Sequence, residues 1–256
     1  MTTRIECVNT HSQKILSSDT CTASFKVAIL RFPGTNCEMD TFEAVSRVSG
    51  LLPEIVGHMA QSLEPYDAVI VPGGFSYGDY LRTGAIAART PVMKALRDFA
   101  LGGGAVLGIC NGFQILAEAG LLPGILLENS SRKFICADTP LIVEQTKTPF
   151  TSLFSPGSSL NLPIAHQEGR YYLNEKDLAL LEENAQVVMR YQKNPNGALH
   201  DIAAISNLEG NILGMMPHPE RRSSDETGST EGLTIFTSLL SSLLKSSVPD
   251  GPIKLR

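Results

Sequence analysis

A cysteine with glycine two residues to either side, Gly108-Ile109-Cys110-Asn111-Gly112, stands where an apolar run gives way to a helical pattern. This is the layout of a nucleophile elbow with sulfur in place of a serine oxygen. The turn at such a nucleophile is too tight for side chains at the flanking positions, so glycine is needed there. Its place at a helix N-terminus sets unpaired N–H groups beside the sulfur, which favour a negative charge on it. The bland alternative is a small buried hydrophobe, the usual fate of a free cysteine. Cys37, in Pro33-Gly-Thr-Asn-Cys37, is read in that second way.

A thiol nucleophile needs a base, and the base needs an acceptor to orient it. Met216-Pro-His-Pro-Glu220 offers both. Side chains two apart on an extended segment point the same way, and the flanking prolines hold that conformation, so Glu220 can orient His218. Pro72-Gly73-Gly74 ends the preceding strand pattern, at the edge where open α/β sheets bind ligands. Its glycines let backbone N–H groups reach an oxyanion, an effect worth ~10²–10³ in rate per donor. A plain strand-end turn has the same composition.

Two rival chemistries compete with this one. His166-Gln-Glu168 repeats the His-x-Glu spacing, so His166, Glu168, His218 and Glu220 could hold a metal between two loops, but no HExxH or paired-cysteine motif supports it. A nucleotide loop is absent: there is no GxxxxGK[ST], and Gly102-Gly-Gly104 precedes a strand pattern where a phosphate loop would follow one.

The elements that must position these groups alternate along the chain. Strands are expected at Lys26–Leu30, Glu54–Gly57, Asp67–Val71 and Ala105–Ile109, and helices at about Glu38–Ser49, from Thr90-Pro91 onward, and at Asn111–Ala119. The later half is richer in strands, at Val187–Gln192, Asp201–Ser206 and Ile212–Met216. It has a helix capped by Asn174 and an amphipathic closing helix from Glu231 to Lys245. Such alternation indicates βαβ units in a three-layer α/β domain.

Composition narrows the field. With 256 residues the chain is long enough for one large core. A net charge of −5 argues against a nucleic-acid or anionic-membrane surface. Five scattered cysteines without a CxxC pair indicate a reducing compartment, and no secretory signal opens the chain. The 19 uncharged residues between Asp98 and Glu118 approach a membrane span in length, but glycines break them into strand, turn and helix.

Together the cysteine elbow, the Pro-Gly-Gly turn and the His-Pro-Glu segment resemble class I (triad-type) glutamine amidotransferases. Longer stretches are similar to the family of glutaminase subunits of phosphoribosylformylglycinamidine synthase. They are Phe32-Pro-Gly-Thr-Asn-Cys37, Pro72-Gly-Gly-Phe-Ser-Tyr-Gly-Asp-Tyr-Leu-Arg82, Gly84-Ala-Ile-Ala87, Cys110-Asn-Gly-Phe-Gln-Ile-Leu116 and Met215-Met-Pro-His-Pro-Glu-Arg221. The resemblance implies a flavodoxin-like open, mostly parallel sheet flanked by helices, spanning 26–246, with 1–25 an extension and 247–256 a tail. It implies that Cys110, His218 and Glu220 are catalytic, with Gly73, Gly74 and Asn111 at the oxyanion, Gln114 helping to bind glutamine, and His166 facing substrate or an interface. Ammonia from glutamine would pass to a large cytoplasmic synthetase subunit that carries ATP and magnesium, with a small third subunit completing the complex in purine biosynthesis. No cofactor or metal is expected on this chain. Thr83, Gln167 and Ala204 depart from the family pattern, which has cysteine, glycine and glycine there. The alternatives are another cysteine-elbow enzyme, such as a peptidase or hydratase, and a non-catalytic scaffolding subunit.

Overall fold

The computed structural model describes residues 23–247; the extension expected at 1–25 and the tail at 247–256 fall almost wholly outside these. The chain runs β1 (Phe25–Arg31), α1 (Glu38–Ser46), β2 (Leu51–Gly57), β3 (Ala68–Val71), α2 (Pro91–Leu101), β4 (Ala105–Ile109) and α3 (Asn111–Glu118). It continues through β5 (Ile125–Leu127), β6 (Ile135–Val143), β7 (Ser159–His166), β8 (Arg170–Tyr172), α4 (Glu175–Glu183), β9 (Val187–Tyr191), β10 (Ile202–Ser206), β11 (Ile212–Met215) and α5 (Leu233–Ser247).

Nine strands form one sheet in the order β2-β1-β3-β4-β11-β10-β9-β6-β7. The first five pair in parallel, and antiparallel pairings extend the sheet from β11 to β7. β3, β4 and β11 are apolar and buried at every residue, as parallel strands covered on both faces must be. α1 packs on β1 and β2, α3 packs on β3, β4 and β11, and α5 returns to pack beside α1. Pro53 lies within β2, longer than its expected span; it is tolerated because β2 is the sheet's edge.

Local signals and structure agree closely at most boundaries. Asn174 Oδ1 accepts from Asp177 N–H at 3.0 Å and caps α4 as its position suggested. Thr90 precedes α2 but does not cap it by side chain; its hydroxyl donates to Ala87 O. α1 stops at Ser46, three residues short of the expected end, and a turn leads through Gly50 into β2. The stretch resembling a membrane span is β4, the elbow and α3, and among the described residues no helix is long and apolar enough to cross a membrane.

The antiparallel half bends back so that β7 meets the segment following β11. Register shifts along the β10–β9 pairing mark bulges, which bend and twist a sheet. As a result β7, four strands removed from β11, returns to that strand's end: His218 N–H donates to Pro163 O at 2.8 Å.

Candidate active site

Four adjacent parallel strands end at one edge. β1 leads into Pro33–Cys37, β3 into Pro72–Gly74, β4 into Cys110, and β11 into Met216–His218. Residues far apart in sequence therefore converge without any long loop.

Cys110 has φ 50° and ψ −107°, strained for a side-chain-bearing residue, at the N-cap of α3. The flanking glycines make that strain possible. A Cβ on Gly112 would lie 1.8 Å from Val71 O, and one on Gly108 would lie 2.5 Å from Leu116 Cδ1 and 2.8 Å from the Gly112 carbonyl carbon. Cys110 N–H is occupied by Met215 O at 2.7 Å, and the sulfur faces Ala165 O at 3.7 Å.

His218 and Glu220 are buried, 1% and 2% exposed, and His218 Nδ1 lies 2.6 Å from Glu220 Oε1. The segment differs from the extended one expected. His218 is extended, but Pro219–Arg222 turns into a short 3-10 helix that carries the carboxylate back to the imidazole. Burial opposes charge on His218, yet Glu220 and then Cys110 overcome it and raise its pKa well above the ordinary value.

The Pro-Gly-Gly turn is held by the loop after β1. Asn36 and Cys37 N–H groups donate to Gly73 O, and Phe75 N–H donates to Gly34 O. Thr35 and Gly74 face each other in a bridge whose two hydrogen bonds leave the Gly74 N–H unused. A Cβ at Gly74 would come 2.7 Å from Asn36 N, so only glycine fits this approach. Asn111 Oδ1 accepts from Ser76 N–H at 3.2 Å and ties the elbow to the same turn.

Beside Cys110 lies a pocket of about 220 Å³, lined among others by Gly74, Asp79, Gln114, His166 and Glu168. A larger, more open depression, about 480 Å³ around Arg31–Pro33 and Gly57–Ala60, touches neither Cys110 nor His218. Within the smaller pocket Gln114 takes a hydrogen bond from Asn111 Nδ2 and donates to Glu168 O at 2.5 Å. Thr83 donates to Glu168 Oε2 at 2.6 Å. His166 Nδ1 lies 3.1 Å from Asn129 Oδ1. The Asn129 amide nitrogen donates to the carbonyls of Lys133 and His166, which identifies Oδ1 as acceptor and Nδ1 as protonated. His166 Nε2 is then a bare acceptor, buried and without a partner among the described residues. Burial, and then the neighbouring His218, lower the His166 pKa to about 4. Gly169 makes room for the ring, since a Cβ there would lie 2.1 Å from His166 Cε1.

All of the residues singled out in the sequence thus meet at one edge, but some neighbours escaped notice. Asp79 has one carboxylate oxygen buried without a partner among the described residues, and burial followed by Glu168 raises its pKa to about 6. Glu168 was weighed only as a metal ligand, and the four-residue metal cluster of His166, Glu168, His218 and Glu220 does not assemble among the described residues. Cys37 is buried like a core residue, but against the site: its sulfur groups with His218 and Glu220 within 4.8 Å. Gln167, where the family pattern has glycine, borders the same pocket and donates from its side chain to Glu128 Oε1 at 3.3 Å.

Residues 24–232 match the family model described as a CobB/CobQ-like glutamine amidotransferase domain. Phosphoribosylformylglycinamidine synthase subunit PurQ of Lacticaseibacillus paracasei is 54% identical over 84% of this chain and 94% of its own length. The subunit of the same name from Lacticaseibacillus casei is 53% identical over the same shares. A chain of the PurLQS structure from Thermotoga maritima superposes with a TM-score of 0.80 at 43% identity, over 86% of this chain and 99% of that one. A glutamine amidotransferase from Thermotoga maritima at 17% identity, with a TM-score of 0.54, shares the fold. The α/β sheet, the elbow at its edge and these similarities converge, and the chain belongs to the glutamine amidotransferases, in the family of PurQ subunits of phosphoribosylformylglycinamidine synthase.

Proposed function

We propose that this chain is the glutaminase subunit of phosphoribosylformylglycinamidine synthase and that it hydrolyses glutamine through a thioester on Cys110. The observation that carries the mechanism is the strained elbow cysteine set beside a buried His218–Glu220 pair at the mouth of a polar pocket. In this reading the Cys110 sulfur attacks the side-chain amide carbon of glutamine. His218 takes the thiol proton and delivers a proton to the departing nitrogen, and Glu220 holds the imidazole. The Gly74 and Asn111 N–H groups receive the oxyanion, with Gly73 fixing the turn. Water then cleaves the thioester, releasing glutamate and restoring the thiol.

The pocket suits glutamine. Asp79 and Glu168 present negative charge for the α-ammonium, and the bare Nε2 of His166 accepts from an N–H of the substrate. Gln114 acts by holding the Glu168 backbone in place. The ammonia goes to a large synthetase subunit, which carries ATP and magnesium and amidates formylglycinamide ribonucleotide, with a small third subunit in the complex. The working compartment is the cytoplasm. Residues 26–246 act as one amidotransferase domain.

The test is the reconstituted complex, supplied with formylglycinamide ribonucleotide, ATP and Mg²⁺ and either glutamine or an ammonium salt. Cys110→Ala should abolish the glutamine-driven reaction, by up to ~10⁶ in turnover, and keep the ammonium-driven one. A scaffolding subunit would lose neither.

A further inference from the structure

Cys37 brings a second sulfur to His218, and glutamine hydrolysis gives it no part. Its Sγ accepts from Arg221 Nη2 at 3.1 Å, and a Cβ on Gly73 would lie 3.2 Å from that sulfur and 2.8 Å from His218 Cε1. The Cys37 sulfur, a ring nitrogen of His218 and a carboxylate oxygen of Glu220 lie within 4.8 Å of one another, all three residues buried. Two of these buried residues offer atoms without a hydrogen-bond partner among the described residues, His218 Nε2 and Glu220 Oε2. The reaction accounts for Nε2, which must serve the Cys110 thiol. It accounts neither for the orphaned Glu220 oxygen nor for the extra sulfur.

We propose that Cys37, His218 and Glu220 form an inhibitory site for a soft divalent cation of the zinc type. One sulfur, one imidazole nitrogen and one carboxylate oxygen make the mixed set that Zn²⁺ accepts, whereas Mg²⁺ and Ca²⁺ require oxygen ligands. Zinc–ligand bonds of about 2.0–2.3 Å set ligand atoms roughly 3.3–3.7 Å apart, so the Cys37 sulfur must draw inward while His218 Nδ1 and Glu220 Oε1, now 2.6 Å apart, give up their hydrogen bond and open around the ion. Binding expels the Cys37 thiol proton and the His218 Nδ1 proton to solvent, and the resulting thiolate and the Glu220 carboxylate balance the ion's charge. Asp40, with Oδ2 3.8 Å from Arg221 Nε, retains the guanidinium once it releases the sulfur. Three protein ligands leave a coordination position open, the pattern of an exchangeable ion rather than a structural one. With the ion in place His218 and Glu220 no longer serve Cys110, so glutamine-driven turnover stops. This consequence rests on the glutaminase reading; binding itself does not.

Two experiments separate the parts, both in a full-length background with Cys7, Cys21 and Cys136 replaced by serine. In the first, the complex is titrated with Zn²⁺ and its glutamine-driven rate is normalised to the ammonium-driven rate. Cys37→Ser should keep its zinc-free rate within about threefold and need at least tenfold more zinc for half-inhibition. Equal sensitivity would overturn the proposal, because the ion would then be held by Cys110. In the second, Cys110→Ala leaves Cys37 as the sole thiol of the chain, which is titrated with Cd²⁺. One equivalent should produce the ultraviolet sulfur-to-cadmium absorption band, lost on further replacement of His218 by alanine. Absence of the band, or its survival without His218, would refute the site even if Cys37→Ser proved inactive.

Discussion

Replacing Gly112 by alanine places a methyl group where the backbone of β3 already stands. The new Cβ would lie 1.8 Å from Val71 O and 2.6 Å from the Val71 carbonyl carbon, about 1.5 Å short of ordinary contact. β3 is held between β1 and β4 and cannot withdraw, so the first turn of α3 must lift away. Overpacking against rigid backbone sits at the upper end of its usual range, about 3 kcal/mol. For a domain of this size that lowers the melting temperature by roughly 6–12 °C. The same displacement carries Asn111 and Cys110 away from Gly74 and His218, and a shift of about 1 Å in a reacting group costs ~10²-fold in rate. The assay pairs urea melts of the isolated subunit with glutamine-driven turnover of the complex, well below the melting transition. Gly57→Ala is the control, since a Cβ there meets nothing within 4 Å and its backbone is ordinary; its cost should stay within about 0.5 kcal/mol. A folded Gly112→Ala enzyme with turnover within threefold of the parent would refute the claim that close packing on Val71 aims the nucleophile.

Three further substitutions probe the charges of the site. Glu220→Gln removes the carboxylate that outweighs burial at His218, so the imidazole pKa falls and glutamine-driven turnover drops by ~10²–10⁴ while the ammonium-driven rate stays; an unchanged pH profile would count against Glu220 as the orienting group. Asp79 binds an ammonium group only when ionised, so kcat/KM for glutamine should decline as pH falls through about 6, and Asp79→Asn should raise KM and erase that limb. Because the folded state holds the Asp79 proton above its unfolded pKa, this residue costs stability as pH rises from about 4 through 6. Asp79→Asn should therefore be more stable at pH 7, by on the order of 1 kcal/mol after solvent screening, in urea melts. Asn129→Leu removes the acceptor that holds the proton on His166 Nδ1, so Nε2 is no longer fixed as the bare acceptor; glutamine KM should rise several-fold, and an unaltered KM would remove His166 from substrate binding.

What could be read from the sequence depended on how local the signal was. β3, β4 and β11 are short apolar runs that announce buried parallel strands, and the elbow states its own geometry through two glycines. His218 and Glu220 were legible as a pair even though the backbone between them coils where extension was expected, because two residues of separation permit the contact in either form. The β6–β7 pairing was not legible. Pro140 and Pro163 interrupt its alternation, and residues 144–158 separate its strands, far beyond a hairpin turn. Cys37 is buried as expected, but its place against the site was not legible for a tertiary reason: nothing near it in sequence says that the loop after β1 clamps the turn after β3. Asp79 was hidden similarly, in a loop where Tyr77, Asp79 and Leu81 all take positive φ and no periodic pattern holds.

The two buried histidines show how one site obtains opposite behaviour from the same side chain. Desolvation disfavours the charge on both. At His218 a carboxylate 2.6 Å away and a neighbouring thiol reverse the penalty, so this ring readily takes a proton. At His166 the partner is an amide, which orients the ring without supplying charge, and His218 itself lowers the pKa further. Each therefore helps to fix the other's role: a protonated His218 keeps His166 neutral, and a neutral His166 offers only a lone pair to the pocket. The carboxylates repeat the division. Glu220 is committed to an imidazole, while Asp79, pushed up by burial and Glu168, waits for a positive charge that the structure does not itself provide. A pocket with one unsatisfied anion, one bare acceptor and a strained thiol at its wall is unfavourable until a molecule bearing an ammonium group and an amide enters it. Glutamine, in the reading proposed above, has both, and binding it would relieve the electrostatic costs that the fold otherwise carries.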